Sequence, residues 1–484
     1  MTRRCSGAIA AVLFLLCLSC STPFIDSPVQ LARTPDGRPF SDAHWGILAR
    51  SLSDQRVIWA RNERLHFLPA SNLKLFTTAV SLLRLGPDYR YVTKIVTRGR
   101  IEGGIVHGSL IVRASGDPSL SARFYPGGAV GVFREWADML VSRGIKEIRG
   151  DVIVDESLFD TQYLGTGWFW DDESFPYSAQ ISAFSLNDNC IDLGVTAGST
   201  EGQPGIVEVT PRTDYVRVIN ETRTTRANRS YLGARRRPGT NDIVMTGTIS
   251  PLDSPKKFLL TVHGPGPFGA LLLKETLRAK GIVVRGAAGV VSDGQETQKD
   301  GELLLLSHVS PPLSTIISHL NKASHNLSAE LLFRTLGAVY YGKGTSRNGT
   351  RVIMETLERA GVITDEVTIR DGSGLSRLSL VTPVQIVNLL EFMYHHPAFS
   401  SFFNSLPVAG ADGTLSARMA GTCAEGNVRA KTGFSTHNGS LSGYVRKKDG
   451  EMVAFSMLTN NNPRDPSEIR RLQDSFCAWL CGQE

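Results

Sequence analysis

Apolar and polar positions follow two different periods along this chain, and the changes of period mark out its organisation. From 68 to 85 the apolar positions recur three and four apart, with Leu73, Phe76, Thr77, Val80 and Leu83 on roughly one face, which predicts an amphipathic helix. From about 91 to 165 the pattern becomes alternation broken by Gly-rich turns, as in "YVTKIVTRGRIEGGIVHGSLIVRASGDPSL", and predicts β-hairpins. Residues 166 to 250, with "GIVEVTP" and "YVRVINET", carry no long helical period and read as a second β-rich unit. "KFLLTVHGPG", "FGALLLKETLRAKGI" and "VVRGAAGVV" then read as strand, helix and strand, a unit able to rejoin the hairpins at 91 to 165. From 313 onward the helical period dominates in "LSTIISHLNKASHNLSAELLFRTLGAVYYG", "RVIMETLERAGV" and "PVQIVNLLEFMYHH". The last quarter supplies short alternating runs, "NVRAKTGFS", "GSLSGYVRKKDG" and "MVAFSMLTN", expected to pair as an antiparallel sheet covered by helices. An α/β core split in sequence by a β-rich insertion is the simplest organisation.

Composition changes this picture little: 484 residues, 41% hydrophobic and 20% charged, suit two or three cored domains rather than disorder. No run beyond residue 20 approaches the ~18 consecutive apolar residues of a membrane-spanning helix. The N-terminus differs, because Arg3 and Arg4 precede "AIAAVLFLLCL" and then "SCST", the layout of a secretory signal over residues 1–20. Export to the periplasm or outer cell envelope is expected. Ser19 before Cys20 also matches a lipoprotein cleavage site, with Cys17 where leucine is usual. A plain signal peptide and a lipid anchor on Cys20 both remain open.

The formal charge of +6 is mild, and although basic residues bunch in "RTTRANRSYLGARRRPG", no interleaved aromatics or motif make it a nucleic-acid site. Cys190, Cys423, Cys477 and Cys481 are too few and scattered for a disulfide-built scaffold. Cys477 and Cys481 read as two small apolar residues on one face of a C-terminal helix, with a disulfide elsewhere open. The ten histidines contain no H-E-x-x-H pair, and His395-His396 reads as a helix end, so no metal is expected.

Candidate chemistry lies in three short motifs. S-x-x-K, expected about twice by chance in such a chain, occurs at Ser71/Lys74 and at Ser254/Lys257, but only the first copy opens a helix, where positions three apart share a face. Alone, Ser71 is more often a helix cap than a nucleophile. S-x-N has three copies, at Ser185/Asn187, Ser324/Asn326 and Ser346/Asn348. Lys431-Thr432-Gly433 occurs once, on an expected strand, where chance supplies roughly a tenth of a match. Together they furnish what acyl transfer needs. Ser71 offers a hydroxyl, and Lys74 can take its proton if burial and a nearby cation such as Lys431 keep the amine neutral. Ser324 can pass a proton to a leaving amine, and Asn326 can orient Lys74 and bind a substrate amide. The N–H groups of Ser71 and Phe434 can stabilise an oxyanion, while Lys431 and Thr432 hold a terminal carboxylate.

This order of motifs is that of β-lactamases and penicillin-binding proteins. The flanks "LPASNLKLFTTAVSLLRLG", "SGDPSL", "SAFSLNDN", "NKASHNLSAELLFR", "DGSGLSR", "GTLSARM" and "VRAKTGFS…SLSGYV" resemble the D-alanyl-D-alanine carboxypeptidase/endopeptidase family, the class C low-molecular-mass penicillin-binding proteins, over nearly all of the chain. The resemblance implies an α/β (α+β) penicillin-binding, β-lactamase-like transpeptidase core, an antiparallel sheet flanked by helices, with β-rich domains inserted between the first two motifs. It divides the chain into a discontinuous catalytic domain, 25–90 plus 300–484, an inserted domain II, 91–165 plus 251–299, and an inserted domain III, 166–250. It implies a serine D-Ala-D-Ala carboxypeptidase, with D,D-endopeptidase activity left open, that needs no cofactor, acts on peptidoglycan stem peptides and binds β-lactam antibiotics covalently. A β-lactamase or esterase on the same core and a non-catalytic peptidoglycan-binding protein are the competing readings. Two positions depart from the family, His325 where Asp is usual and Phe434 where Thr or Ser follows Lys-Thr-Gly.

Overall fold

The short alternating runs of the last quarter form one antiparallel sheet with the first strands of the chain. In the computed structural model, which describes residues 43–292, 301–362, 366–463 and 465–482, its order is Val428–Ser435, Asn438–Arg446, Met452–Asn460, His44–Ser51, Val57–Arg61. Trp45 therefore lies opposite Thr459 and Ala49 opposite Phe455. The central strands are buried at nearly every position because helices cover both faces. Pro466–Gly482 packs on one side, with Ile469 against Gly439, and Pro383–His395 on the other, where the Tyr444 hydroxyl donates to Leu390 O (2.8 Å).

The Leu73–Leu85 helix is not one-faced as its apolar spacing suggests. Every residue from Leu73 to Leu82 is buried, because the helix runs through the middle of the lobe among Leu313–Ala323, Asn326–Tyr341, Ser346–Arg359 and Pro383–His395. Its polar residues are satisfied inside: Thr78 and Ser81 hydroxyls donate to the carbonyls of Lys74 and Thr77, and Thr77 to Gly372 O.

Residues 92–309 build separate sheets around a second apolar core that includes Phe133, Trp136, Leu193, Met245 and Leu273. Here the hairpin expectation for 91–165 needs correction. Val92–Thr97 does pair antiparallel with Leu110–Arg113, but Leu110–Arg113 pairs in parallel with Val152–Asp155 through a crossover helix, Gly131–Ser142. Val132, Phe133, Trp136, Ala137 and Leu140 are that helix's buried face, and their spacing marks a helix that the flanking alternation masks. Val283–Val284 and Ala288–Val291 pair with Glu147–Ile148 and Val152–Asp155. Two expected boundaries also shift. Leu303–Val309 pairs with Val92–Thr97, so the chain returns to the C-terminal sheet's lobe after Val309 rather than at 300, and Lys256–Thr261 pairs with Cys190–Thr196, across the expected border at 250. Long-range strand partners leave no mark on local alternation.

Cys481 is not merely an apolar helix residue: it is disulfide-bonded to Cys423, while Cys477 is a buried free thiol. The bond fastens the C-terminal helix to the loop that precedes Val428–Ser435. No helix among the described residues is long and apolar enough to cross a membrane, and the signal-like segment with Cys20 lies outside them. Replacing both Cys423 and Cys481 by Ser is expected to cost about 4 kcal/mol, the loop-closure entropy of a link of this span, read as a lowered denaturation midpoint relative to the oxidised protein.

Candidate active site

Ser71 sits in a single 3-10 turn, Ala70–Asn72, that runs straight into the Leu73–Leu85 helix, and no side-chain cap hydrogen bond is made at that end. Its hydroxyl instead meets an amine. Lys74, one turn along and wholly buried, directs Nζ to three oxygens at 2.7 Å each: Ser71 Oγ, Asn326 Oδ1 and the Ser373 carbonyl. Burial pulls its pKa down to about 7, against the charges of Asp371 and Glu330, which raise it. A lysine so placed is neutral in a large fraction of molecules near pH 7 and can accept a proton from the hydroxyl it touches.

Ser324 and Asn326 flank a break between two helices. Ser324 ends Leu313–Ala323 in the left-handed conformation (φ +57°), and Asn326 opens Asn326–Tyr341. That turn aims Ser324 Oγ at Lys431 Nζ (2.7 Å) while Asn326 holds Lys74 and donates Nδ2–H to Tyr177 O (2.8 Å). Lys431 is also buried, and burial together with the Lys74 charge holds its pKa well below the ordinary lysine value. Each lysine thus contacts one of the two serine hydroxyls.

Lys431 and Thr432 lie on Val428–Ser435, the edge strand of the sheet. Ala430 N–H points off that edge to Pro407 O (3.0 Å), so by the two-residue period the N–H groups of Thr432 and Phe434 face the same open side. Gly433 lets the strand press against the Ser71 turn. A Cβ there would stand 2.0 Å from Ser440 Oγ and 3.0 Å from Ser71 N, distances no other residue tolerates. Two further bonds clamp the turn to the sheet, Asn72 Nδ2 to Lys431 O (2.9 Å) and Ser440 Oγ to Pro69 O (2.8 Å). The result holds the Ser71 turn directly against the strand that carries Gly433. From there a cleft of about 890 Å³ runs from Ser71 and Ser324 past Thr432 and Phe434 to the first turns of the C-terminal helix.

Several neighbours were not legible as site residues. "DGSGLSR" is a turn whose backbone, not its Ser373 hydroxyl, reaches Lys74. Asp371 shapes it by accepting N–H groups from Gly374 (3.1 Å) and Ser376 (2.7 Å) and the Trp168 indole (3.0 Å). Glu330 accepts from the amides of Gly372 and Ser373, and burial beside Asp371 pushes its carboxyl up to about 7. Only the density of Gly and Ser around one Asp hinted at this. Tyr177 comes from the inserted segment, and nothing local foretold its carbonyl's role. His325 caps its helix at Ser328 N and sets Nε2 2.9 Å from Arg123 Nη2, leaving Ser324 and Asn326 undisturbed. The second S-x-x-K, at Ser254 and Lys257, is on an exposed turn and strand of the inserted region. Among the described residues no cluster of His, Cys, Asp and Glu could hold a metal ion.

Comparison with known proteins settles the lineage. The family model described as D-Ala-D-Ala carboxypeptidase 3 (S13) family matches residues 31–480. The chain belongs to that family. Among relatives, a D-alanyl-D-alanine carboxypeptidase of Actinomadura sp. (strain R39) is 34% identical over 90% of this chain and 80% of its own. The D-alanyl-D-alanine carboxypeptidase DacB of Haemophilus influenzae is 28% identical over 95% and 94%. The crystal structure of penicillin binding protein 4 from Haemophilus influenzae superposes with a TM-score of 0.80 at 25% identity, covering 92% of this chain and 97% of that one. The same protein has been solved in complex with a β-lactam. The fold of this S13 member is therefore the penicillin-binding one, mixed α/β with helices on both faces of the antiparallel sheet.

The clamp between turn and strand is directly testable. Asn72→Ala removes a buried hydrogen bond and is expected to cost about 1–3 kcal/mol and to slow acylation by benzylpenicillin, measured by thermal denaturation and stopped-flow quenching.

Proposed function

We propose that this D-Ala-D-Ala carboxypeptidase works through an acyl-enzyme on Ser71, and that the hydroxyl's contact with the buried Lys74 amine is the observation that carries the reading. Neutral Lys74 takes the Ser71 proton as Oγ attacks the carbonyl carbon of the penultimate D-alanine of a peptidoglycan stem peptide. The oxyanion is held by the N–H groups of Ser71 and Phe434. The proton that Lys74 took passes by way of Ser324, itself bonded to Lys431, to the departing amine of D-alanine as the C–N bond breaks, which leaves Lys74 neutral again, while Lys431 with Thr432 holds the terminal carboxylate. Asn326 keeps Lys74 aligned and offers its carboxamide to the substrate. Water then attacks the ester, Lys74 again serving as base, and frees Ser71. A β-lactam carbonyl enters the same sequence but leaves a slowly hydrolysed adduct. No step calls on a group beyond these side chains and amides.

Phe434 supports an open rather than a closed site, because the residue is 57% exposed. We also propose the three-part division of the chain, with residues 92–309 as the inserted portion and the catalytic lobe formed by the rest. The "AIAAVLFLLCL" run supports export, with the periplasmic side of the envelope as the site of action; mass spectrometry of the processed N-terminus distinguishes cleavage alone from lipid on Cys20.

Intact-mass analysis after benzylpenicillin treatment is expected to show one drug-sized adduct that Ser71→Ala abolishes. An adduct that survives in the variant overturns the assignment.

The acylation rate is expected to fall about tenfold per pH unit below about 7, as Lys74 protonates, and to level off above it. Glu330→Gln keeps the acceptor for the Gly372 and Ser373 amides but removes a charge that raises the Lys74 pKa. The acidic limb of the profile should therefore move to lower pH, and a limb that moves to higher pH contradicts the pairing.

A further inference from the structure

Two stretches that the proposed chemistry leaves unused, "SGDPSL" and "SAFSLNDN", meet in the fold. Asp117 accepts from the Ser119 amide (2.8 Å) and hydroxyl (2.6 Å) and closes the first into a turn, and the Asn187 amide donates to Leu120 O (2.9 Å), which fastens the second to it. Asn187, Asp188 and Asn189 are left-handed in succession, at φ +47°, +57° and +55°. Residues with a side chain visit that region singly as a rule, so three in a row are held there by their surroundings. Asn189 supplies part of the hold, donating to Gln180 O (2.8 Å) and Ser185 Oγ (3.0 Å). What this costly turn presents is one carboxylate, that of Asp188.

Arg123, three residues beyond the first stretch, joins that carboxylate to the catalytic lobe. Its Nη2 bonds to Asp188 and lies 2.9 Å from His325 Nε2, and Asp188 Oδ1 is 3.5 Å from the same ring nitrogen. Burial, with the Arg123 and Lys74 charges, holds the His325 pKa well below the ordinary histidine value, so a cation meets a neutral ring. His325 is the residue between Ser324 and Asn326, and the two are held unequally. Asn326 is fixed by Lys74 (2.7 Å) and Tyr177 O (2.8 Å), and Leu327 and Leu331 beyond it pack with Phe159 and Ile181 of the inserted portion. Ser324 sits in its left-handed turn with a hydroxyl that bonds, among the described residues, only to Lys431. The direction of that hydroxyl therefore depends on how firmly the next residue is anchored.

We propose that Arg123 and Asp188, acting through the His325 ring, are positioning residues for Ser324, so that the inserted portion is a working part of the hydrolytic site. The inference rests on Ser324 as the relay to the departing amine and adds no step to the chemistry. It explains how histidine serves where the family usually has Asp: the Arg123–Asp188 pair anchors a neutral ring and keeps the turn in place. It also makes a distinction that a purely structural role does not. An amine has to be protonated as its C–N bond breaks, whereas a thiolate leaves a thioester without a proton. Misplacing Ser324 therefore slows the first reaction more than the second.

The test measures single-turnover acylation of the full chain by a peptide ending in D-Ala-D-Ala and by a thioester with the same acyl part. Ser324→Ala sets the scale and is expected to slow the amide more than the thioester. Arg123→Ala is expected to lower the ratio of amide to thioester acylation about tenfold, in the rate at saturation rather than in the half-saturating concentration, and Arg123→Lys to recover part of it. Arg123→Met, which keeps the packing of the stem, makes the same measurement where alanine loosens the fold. In a His325→Ala background, Arg123→Ala should lower the ratio no further. Equal slowing of both substrates by the Arg123 variants, or a further fall in that background, overturns the positioning role. Failure of the underlying reading looks different: Ser324→Ala that slows both substrates alike overturns the relay, whereas a selective Ser324→Ala beside an unselective Arg123→Ala overturns the positioning role alone.

Discussion

One desolvated amine organises this molecule. Lys74 Nζ is the point at which the central helix, the Ser324–Asn326 break, the Gly372–Gly374 turn and the Ser71 hydroxyl meet. Removing an ammonium from water is costly, and three acceptors at short range are what make the burial tolerable. The three acceptors come from distant parts of the chain, so holding this amine and folding the catalytic lobe are the same problem. That explains why so much surrounding structure consists of buried polar side chains spent on backbone groups, such as Thr77, Asp371 and Glu330. The charge balance is set by geometry rather than by a direct ion pair, which leaves the amine close to its switching point instead of locked as a cation.

The edge strand supplies the complementary constraint. A nucleophile on a helix and an amide on a strand can cooperate only if the two elements come within van der Waals reach, and Gly433 is the residue that permits it. Asn72 and Ser440 then keep that distance from opening. Among the described residues no strand pairs with the sheet edge beside Phe434, which leaves its N–H outside any ladder.

The side chains that the structure brings together at the candidate site were legible because acyl transfer demands particular residue types at short spacings, and Ser71/Lys74, Ser324/Asn326 and Lys431–Gly433 carry those spacings in plain sequence. The groups that hold them were not. Asn72 and Tyr177 act through single contacts to residues 359 and 149 positions away, and Glu330 looks like any helical glutamate until Gly372 and Ser373 arrive beside it. Element types were readable where one period persisted, as in the C-terminal strands. They were obscured where the Gly131–Ser142 helix lies among alternating runs, and the depth of the Leu73–Leu85 helix could not be foreseen because burial on all sides reflects what surrounds a helix. The parallel pairing of Leu110–Arg113 with Val152–Asp155, the place of Leu303–Val309 and the Cys423–Cys481 bond are partnerships, which local pattern does not encode.

The pairing of His44–Ser51 with Met452–Asn460 sets an order of events in the life of the chain. The sheet that carries Lys431 takes two strands, His44–Ser51 and Val57–Arg61, from before the inserted portion and three from the end of the polypeptide. Residues 92–309 form their own sheets and core from a continuous stretch, so they can assemble while later residues are still being delivered. The catalytic sheet cannot close until the polypeptide is almost complete, and closing it brings together the most distant contacts in the fold. Hydrolytic competence is therefore acquired all at once and late, after the rest of the molecule is in place. While its last strands are still missing, the chain therefore carries no assembled Lys74–Lys431 cluster.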